Sequence, residues 1–463
     1  MSMPRELLAG WGGTAPTSAD VRSPSRAEEV TAILAGGPTR GAVARGLGRS
    51  YGDAAQNAGG TVVATTRLGG VTWADEPAGL VRAGGGTSLG DLLGFLLPRG
   101  RALPVVPGTR HVTVGGAIAA DVHGKNHPGD GSFAGHVVDL TLAAPSGVRR
   151  LTPEGDAEPF WATAGGMGLT GVVLETTLRT VAVETSAVRV TKRRAADLDE
   201  LMSAMEAEAD RHRYLVAWID ALASGAAAGR GVLSWGDHAA VADLPSADQR
   251  ASPLGLDPPR TVRLPPWCTG GRVPATAVAA MNRLRYRRGP ASASTTVEPL
   301  DRFLFPLDAV DGWNRLYGRA GFVQYQFVVP FRAGDVVRLA LERLQAAGCP
   351  PFLAVLKRLG AADPGPLSFP MPGWTLAVDF PAALPGLAAV LDGLDESVAG
   401  AGGRVYLAKD ARLRPDLLGA MYPDLDRWRS ARDRLDPDGV LTSDLGRRLG
   451  LVASRPAGRR AQG

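Results

Sequence analysis

The chain has 463 residues, 45% of them hydrophobic and 21% charged, with a net charge of +5 and abundant glycine (60) and proline (35). Its length predicts two or three domains around a large core, and its non-periodic glycine and proline exclude collagen and bulk disorder. Two cysteines exclude a disulfide scaffold and any Cys-rich metal site, and the sequence shows neither an apolar run of about 20 residues nor a secretory signal, so a cytoplasmic protein is expected.

In chain order, residues 41–66 read as strand, glycine loop and strand: GAVARG, LGRSYGDAAQNAGG, TVVATT. GLVRAGGG reads as a strand turning at three glycines. TSLGDLLGFLLPRG reads as a short helix with Thr87 as N-cap and Pro98 as its stop. Residues 104–135 are the densest glycine segment with functional side chains, and HVVDLTLAAPSG and LTGVVLETTLRTV follow as strands. From about residue 187, helical stretches such as DLDELMSAMEAEADRH alternate with the strands RYLVAWIDA, FVQYQFVVPF and TLAVDFP. RVYLAKDAR opens a last segment with a helix-like run, YPDLDRWRSARDRLDP, and an exposed basic tail, RPAGRRAQG. The pattern predicts an α+β protein in three parts: residues 1–186, residues 187–402, and residues 403–463 returning to the first. Apart from the tail, the arginines are scattered among acids, so no nucleic-acid partner is expected.

Two segments carry chemistry. ARGLGRSYGD sets Gly46, Gly48 and Gly52 among Arg45, Arg49 and Ser50 straight after a strand, a spacing that lets backbone N–H groups converge on an anion. It lacks both the Rossmann G-x-G-x-x-G spacing and a Walker lysine. PGTRHVTVGGAIAADVHGKNH combines small residues, which allow close approach of a flat ligand, with donors and titratable groups in one loop. His123 and His127 lie four apart, but Gly-Lys-Asn between them is a poor helix and no acidic third ligand stands nearby, so no metal is expected. Only four of the 51 basic residues are lysines, namely Lys125, Lys192, Lys357 and Lys409. Gln324 and Gln326 alternate on a strand and face one side, with Tyr325 facing the other.

These stretches, with GWGGTAP, FWATAGGMGLTG, YGRAGFVQYQFVVP, GPLSFPMPGW and YLAKDAR, resemble the FAD-linked oxidases of the vanillyl-alcohol oxidase superfamily. Within it they are similar to the branch that oxidises polyprenylphosphoryl ribose. The resemblance runs from about residue 10 to 450 and rests on the motifs occurring together and in order. It implies a two-part FAD-binding domain over 1–186, an α+β substrate domain with an antiparallel sheet over 187–402, and the C-terminal return. FAD would be held by Arg45, Gly46, Leu47, Gly48, Arg49, Ser50, Tyr51, Gly108, Thr109, Val112, Gly115, Gly116, Ala119, His123, Gly124, Asn126, Gly171, Val172 and Tyr406. It would be non-covalent, since Tyr51 stands where many members have a tethering histidine.

The resemblance further implies oxidation of the ribosyl C2′ hydroxyl to a ketone, with Lys409 and His123 as catalytic residues. Lys125, Trp218, Gln324, Gln326, Lys357 and Thr375 would bind substrate, leaving Lys192 incidental. An NAD(P)H-dependent keto-reductase would complete an epimerisation to the arabinose form used in cell-wall arabinan, and a lipid-linked substrate implies peripheral membrane contact. For Lys409 the alternative is an ion pair with Asp410. Thr375 and Ala377 stand where the family has Asn and Cys, Leu359 where it has Phe, and Met167 where it has Asn, so the pocket departs from its usual pattern. Alternatives are an FAD oxidase of a soluble sugar, alditol, aldonolactone or specialised-metabolite glycoside, and a non-catalytic flavin- or lipid-carrier-binding subunit.

Overall fold

A computed structural model describes residues 5–255, 261–263, 275–349 and 351–452. The basic tail at 455–463 and Cys268 lie outside the described residues. The chain begins with a four-stranded sheet in the order Glu6–Leu8, Thr17–Arg22, Thr61–Ala64, Ala42–Arg45, whose last three strands run parallel. A second, antiparallel sheet follows in the order Val71–Asp75, Leu80–Gly84, Val172–Arg179, Val137–Ala144, Gly147–Leu151. The helix Ala27–Ala35 joins them. Its buried Val30 and Leu34 cluster with Ala42 and Val63 of one sheet and Ala143 and Val172 of the other, each such aliphatic contributing roughly 1.5–3 kcal/mol.

The strand Ala187–Ala195 opens a separate eight-stranded antiparallel sheet. Its order is Ser294–Pro299, Ala187–Ala195, Gly231–His238, Tyr214–Ile219, Leu353–Leu359, Gly373–Pro381, Phe322–Pro330, Arg404–Val405. Period-two alternation sorts each strand into two faces. Tyr325, Phe327, Leu356, Leu376 and Val378 share one face and join a core with Leu341, Leu344, Leu391 and Leu394 of the helices Asp335–Ala346 and Leu387–Gly400. The opposite face carries the polar stripe described below.

The helix expected after Thr87 runs Leu89–Leu96, but its N-cap is Ser88, whose hydroxyl accepts from Asp91 N–H. Thr87 instead bonds both backbone groups of Gly70. Its side chain is taken by the neighbouring turn, so the next hydroxyl caps the helix.

After the edge strand Arg404–Val405 the chain returns to the first sheet. Leu441 bridges Ala42 in parallel, Asp444 accepts from Ala58 N–H, and Arg448 pairs with Asp53 at 2.7 Å and Asp410 at 2.8 Å. Trp428, fully buried in the helix Leu425–Leu435, donates its indole N–H to Ala162 O. Gly52 sits at this junction with no room for a side chain, because a Cβ there would lie 2.1 Å from the backbone oxygen of Asp410. Gly52→Ala must therefore push the 45–53 loop from the 408–411 loop. The expected outcome is a loss of about 1–3 kcal/mol in stability and reduced flavin content, read by thermal melts and by flavin absorbance per chain.

Candidate active site

Sheet register assembles the site. Gln326 pairs with Ala377, Thr375 with Lys357, and Trp218 with Val355, so Gln324, Gln326, Thr375, Ala377, Lys357 and Trp218 all lie on one face. His123 reaches this face from the glycine-rich segment. Its Nε2 lies 3.0 Å from the Gln326 amide nitrogen, and its Nδ1 lies 3.3 Å from Lys357 Nζ. Gln326 also donates to Thr375 Oγ1 at 3.2 Å. The Gln326 amide nitrogen is within reach of both His123 Nε2 and Thr375 Oγ1, so the amide's orientation and the ring's tautomer are set together. Burial, followed by the charges of Lys357, His127 and Lys409, pushes His123 well below the usual imidazole range, so the ring is neutral.

Lys409 arrives from the opposite side. Tyr406 N–H donates to Gln326 O, which hangs the 406–413 loop on the strand edge. Tyr51 N–H bonds Ala408 O, and Lys409 Nζ lies 3.8 Å from the centre of the Tyr51 ring. The expected alternative, an ion pair with Asp410, does not form. Asp410 is buried and spends its carboxylate on Arg448 and on the N–H groups of Arg412 and Leu413. Burial pushes Lys409 down to about 7 against an upward pull from Asp379. Burial likewise takes Lys357 down to about 8.

Asp379 is the residue that sequence reasoning missed. It is 1% exposed, its Oδ1 accepts from Gln324 Nε2 at 2.5 Å, and its Oδ2 has no hydrogen-bond partner among the described residues. Burial raises its pKa to about 6, with Gln324 and Lys409 pulling it back. The signal was available, since Thr375, Ala377 and Asp379 alternate on one strand face.

Other expected residues take structural positions. Lys125 donates to the carbonyls of Phe303 and Leu304, closing the end of the short helix Leu300–Leu304. Its nitrogen is thus committed to backbone. Asn126 donates to Pro104 O and Asp130, and Thr109 to Asp308. Val172 is fully buried beneath the helix Ala27–Ala35. A Cβ on Gly171 would meet Leu142 at 2.6 Å, and one on Gly124 would meet Asn126 Oδ1 at 2.4 Å. Tyr406 donates to Ala120 O and stacks on Phe369 at 4.5 Å. Lys192 pairs with Glu298 and lies on the same sheet face as Trp218, so it is not incidental to this surface.

The first glycine loop fits an anionic dinucleotide. Among the described residues, the backbone N–H groups of Leu47, Gly48, Arg49 and Ser50 have no acceptor, four successive donors in one turn. Arg45 shapes the turn by donating to Ala9 O and Ala55 O, while Arg49 stacks over Trp11 at 3.7 Å. A Cβ on Gly46 would lie 2.2 Å from Thr113 Oγ1, the N-cap of the helix Val114–Ala119, so this loop packs directly on the 112–119 segment. Beside that segment, a Cβ on Gly108 or Gly168 would meet nothing within 4 Å. Gly115, Gly116 and Ala119 are half-buried there, which leaves backbone available to a flat ring. Met167, in place of the family's asparagine, has φ +54°, a left-handed conformation that asparagine tolerates better than methionine.

Comparison with known proteins agrees. Residues 19–152 match the FAD binding domain family. The chain is 42% identical over 453 residues to a decaprenylphosphoryl-beta-D-ribose oxidase of Mycolicibacterium smegmatis, covering 96% of this chain and 97% of the relative. An alditol oxidase of a Streptomyces species is 28% identical over 37% of this chain and 41% of its own. An L-gulono-1,4-lactone dehydrogenase of Mycobacterium tuberculosis is 24% identical over 96% of this chain and 99% of its own. Motif order, the antiparallel substrate sheet and full-length identity converge: the chain is an FAD-dependent oxidoreductase and belongs to the decaprenylphosphoryl-β-D-ribose oxidase family.

Proposed function

We propose that this protein oxidises the C2′ hydroxyl of a polyprenylphosphoryl-β-D-ribose to the 2′-keto sugar. The observation that carries the reading is the joint placement of His123, Gln326, Lys357 and Lys409 around one sheet face. When bound, FAD supplies the two-electron acceptor for the carbinol carbon. The loop Leu47–Ser50 would hold its pyrophosphate, and Gly115, Gly116 and Ala119 would leave space for its ring.

The protein's own residues manage the sugar and its proton. Lys409 and Lys357 carry ammoniums tuned by burial close to neutrality, so either can donate to a sugar or phosphate oxygen and exchange a proton at working pH. Gln326, fixed by Thr375 and His123, offers an oriented amide to a hydroxyl. Neutral His123 is held at both ring nitrogens, which makes it an orienting group rather than a freely accessible base. Excess positive charge in the wall suits a substrate that brings a phosphate.

The ketone then requires reduction from the opposite face to give the arabinose form. A separate NAD(P)H-dependent keto-reductase is the partner that this chemistry calls for, and cell-wall arabinan is the destination. FAD is non-covalent on this reading, because Tyr51 stands where a histidyl tether would need histidine. Among the described residues no helix is long and apolar enough to cross a membrane. A lipid-linked substrate therefore calls for peripheral contact from the cytoplasmic side. Oxidation of a free alditol or aldonolactone is the second reading, supported by the more distant relatives.

Anaerobic flavin bleaching across a panel decides between them. Polyprenylphosphoryl ribose should reduce the flavin and free alditols and lactones should not, and bleaching by free polyols alone would refute the lipid-linked reading. Lys409→Ala should slow bleaching by about 10²–10⁴-fold while retaining FAD. Acid denaturation should release that FAD into the supernatant. Asp379→Asn removes the charge that holds the Lys409 pKa up. The limb of the bleaching-rate profile that belongs to Lys409 should therefore move to lower pH, as read by stopped-flow across pH 5–9 (about neutrality).

A further inference from the structure

The helix Ala275–Arg288, sequence ATAVAAMNRLRYRR, contains four arginines and no acidic residue, so the C-terminal tail is not the one place where arginines stand apart from acids. Its inner face is small and mixed. Val278 and Asn282 are buried, Asn282 donates to Asp220, and the half-buried Tyr286 ring lies under Arg194 and Arg230. These contacts seat the helix on the sheet.

Its outer face is the unusual one. Ala277, Ala280, Met281 and Leu284 follow i, i+3, i+4, i+7 spacing and are exposed, with Met281 at 54% and Leu284 at 49%. An apolar stripe with that periodicity ordinarily points into a core, yet here it points to solvent. At 100° per residue, Arg283 and Arg287 flank the stripe on one side and Arg285 on the other, while Arg288 continues the line of the stripe at its C-terminal end. Among the described residues, none of these four is in an ion pair. Arg285 also lies 4.6 Å from the ring of Trp218, which shares the sheet face of Lys357. The stripe therefore borders the proposed substrate surface.

We propose that this helix seats the protein on an anionic membrane, with Met281 and Leu284 entering the interface and Arg283, Arg287 and Arg288 meeting lipid phosphates. Charge selects this occupant: arginines without an ion pair among the described residues, set beside and at the end of an apolar stripe, match an anionic headgroup layer above acyl chains. The seat would place the Trp218 end of the sheet beside the bilayer that holds a polyprenyl tail. In that respect it deepens the lipid-linked reading above, although membrane binding itself needs no substrate.

Flavin-loaded protein is to be sedimented with vesicles of phosphatidylcholine alone and with about one-third phosphatidylglycerol added. The wild type should bind only the anionic vesicles and lose binding as salt is raised. Both Met281→Ser/Leu284→Ser and Arg283→Gln/Arg287→Gln/Arg288→Gln should weaken binding by about tenfold or more. In both variants, flavin reduction by a soluble short-chain polyprenylphosphoryl ribose should stay at the wild-type rate. Failure of the wild type to bind anionic vesicles, or equal binding by both variants, overturns the proposal. So does self-association of the wild type that the variants abolish without any vesicle binding, since the stripe would then be a protein contact. If vesicle binding behaves as stated but no polyprenylphosphoryl ribose bleaches the flavin, the membrane seat stands and the substrate reading falls.

Discussion

The structure turns on the desolvation of two lysine ammoniums, Lys357 and Lys409, in a wall that offers them one unpaired carboxylate, Asp379. Burial disfavours the charged form of every one of these groups, so none stays charged cheaply. A carboxyl and ammoniums that act on one another through space, all pushed toward neutrality by burial, gain or lose a proton with small changes in their surroundings. Gln324 restrains Asp379 by one hydrogen bond and leaves the other oxygen open, while the Tyr51 ring supports Lys409 without neutralising it.

Holding that arrangement requires segments from distant parts of the chain. Trp11 N–H bonds Ser50 O, Gly12 N–H bonds Tyr51 O, and Phe322 N–H bonds Gly12 O. The amino-terminal GWGG run is therefore laid between the first glycine loop and the strand bearing Gln324 and Gln326. Its glycines are dictated by this contact, since a Cβ on Gly10 would lie 2.1 Å from Gly52 O and one on Gly12 2.4 Å from Phe322 O. On the other side, Arg448 couples Asp53 of the first loop to Asp410 beside Lys409. The dinucleotide loop and the lysine loop are thus one mechanical unit, and the substrate sheet is fastened to it by the bond from Tyr406 to Gln326.

On the proposed reading, the same face serves chemistry and delivery. At one end stand Gln326, Thr375 and Lys357, and toward the other stands Trp218 beneath Arg285 of a helix that turns apolar side chains outward. A sugar phosphate with a long apolar tail needs both a polar pocket and a route that keeps the tail out of water. An antiparallel sheet lined at one end by titratable groups and bordered at the other by an exposed amphipathic helix would supply both.

Much of this was legible in one dimension. Period-two alternation placed Gln324 and Gln326 on one face, and clustered glycines marked a loop rich in free N–H groups. The scarcity of lysine drew attention to Lys125, Lys357 and Lys409 alike, and of these Lys125 went to backbone carbonyls instead. Those signals are local, arising from backbone geometry and side-chain chemistry within a few residues. Partner choice is different, because it depends on which groups compete for the same donor or acceptor after folding. Thr87 lost its cap to Ser88 because Gly70 claimed it, and Lys125 was drawn to the Phe303 and Leu304 carbonyls. Asp410 was taken by Arg448, which left Asp379 to face Lys409. By itself, the sequence determined the elements, the glycine turns and the family. Only the tertiary structure decided which carboxylate acts on the buried lysine, because burial and competition for hydrogen bonds exist only once residues about 30 to 400 positions apart have met.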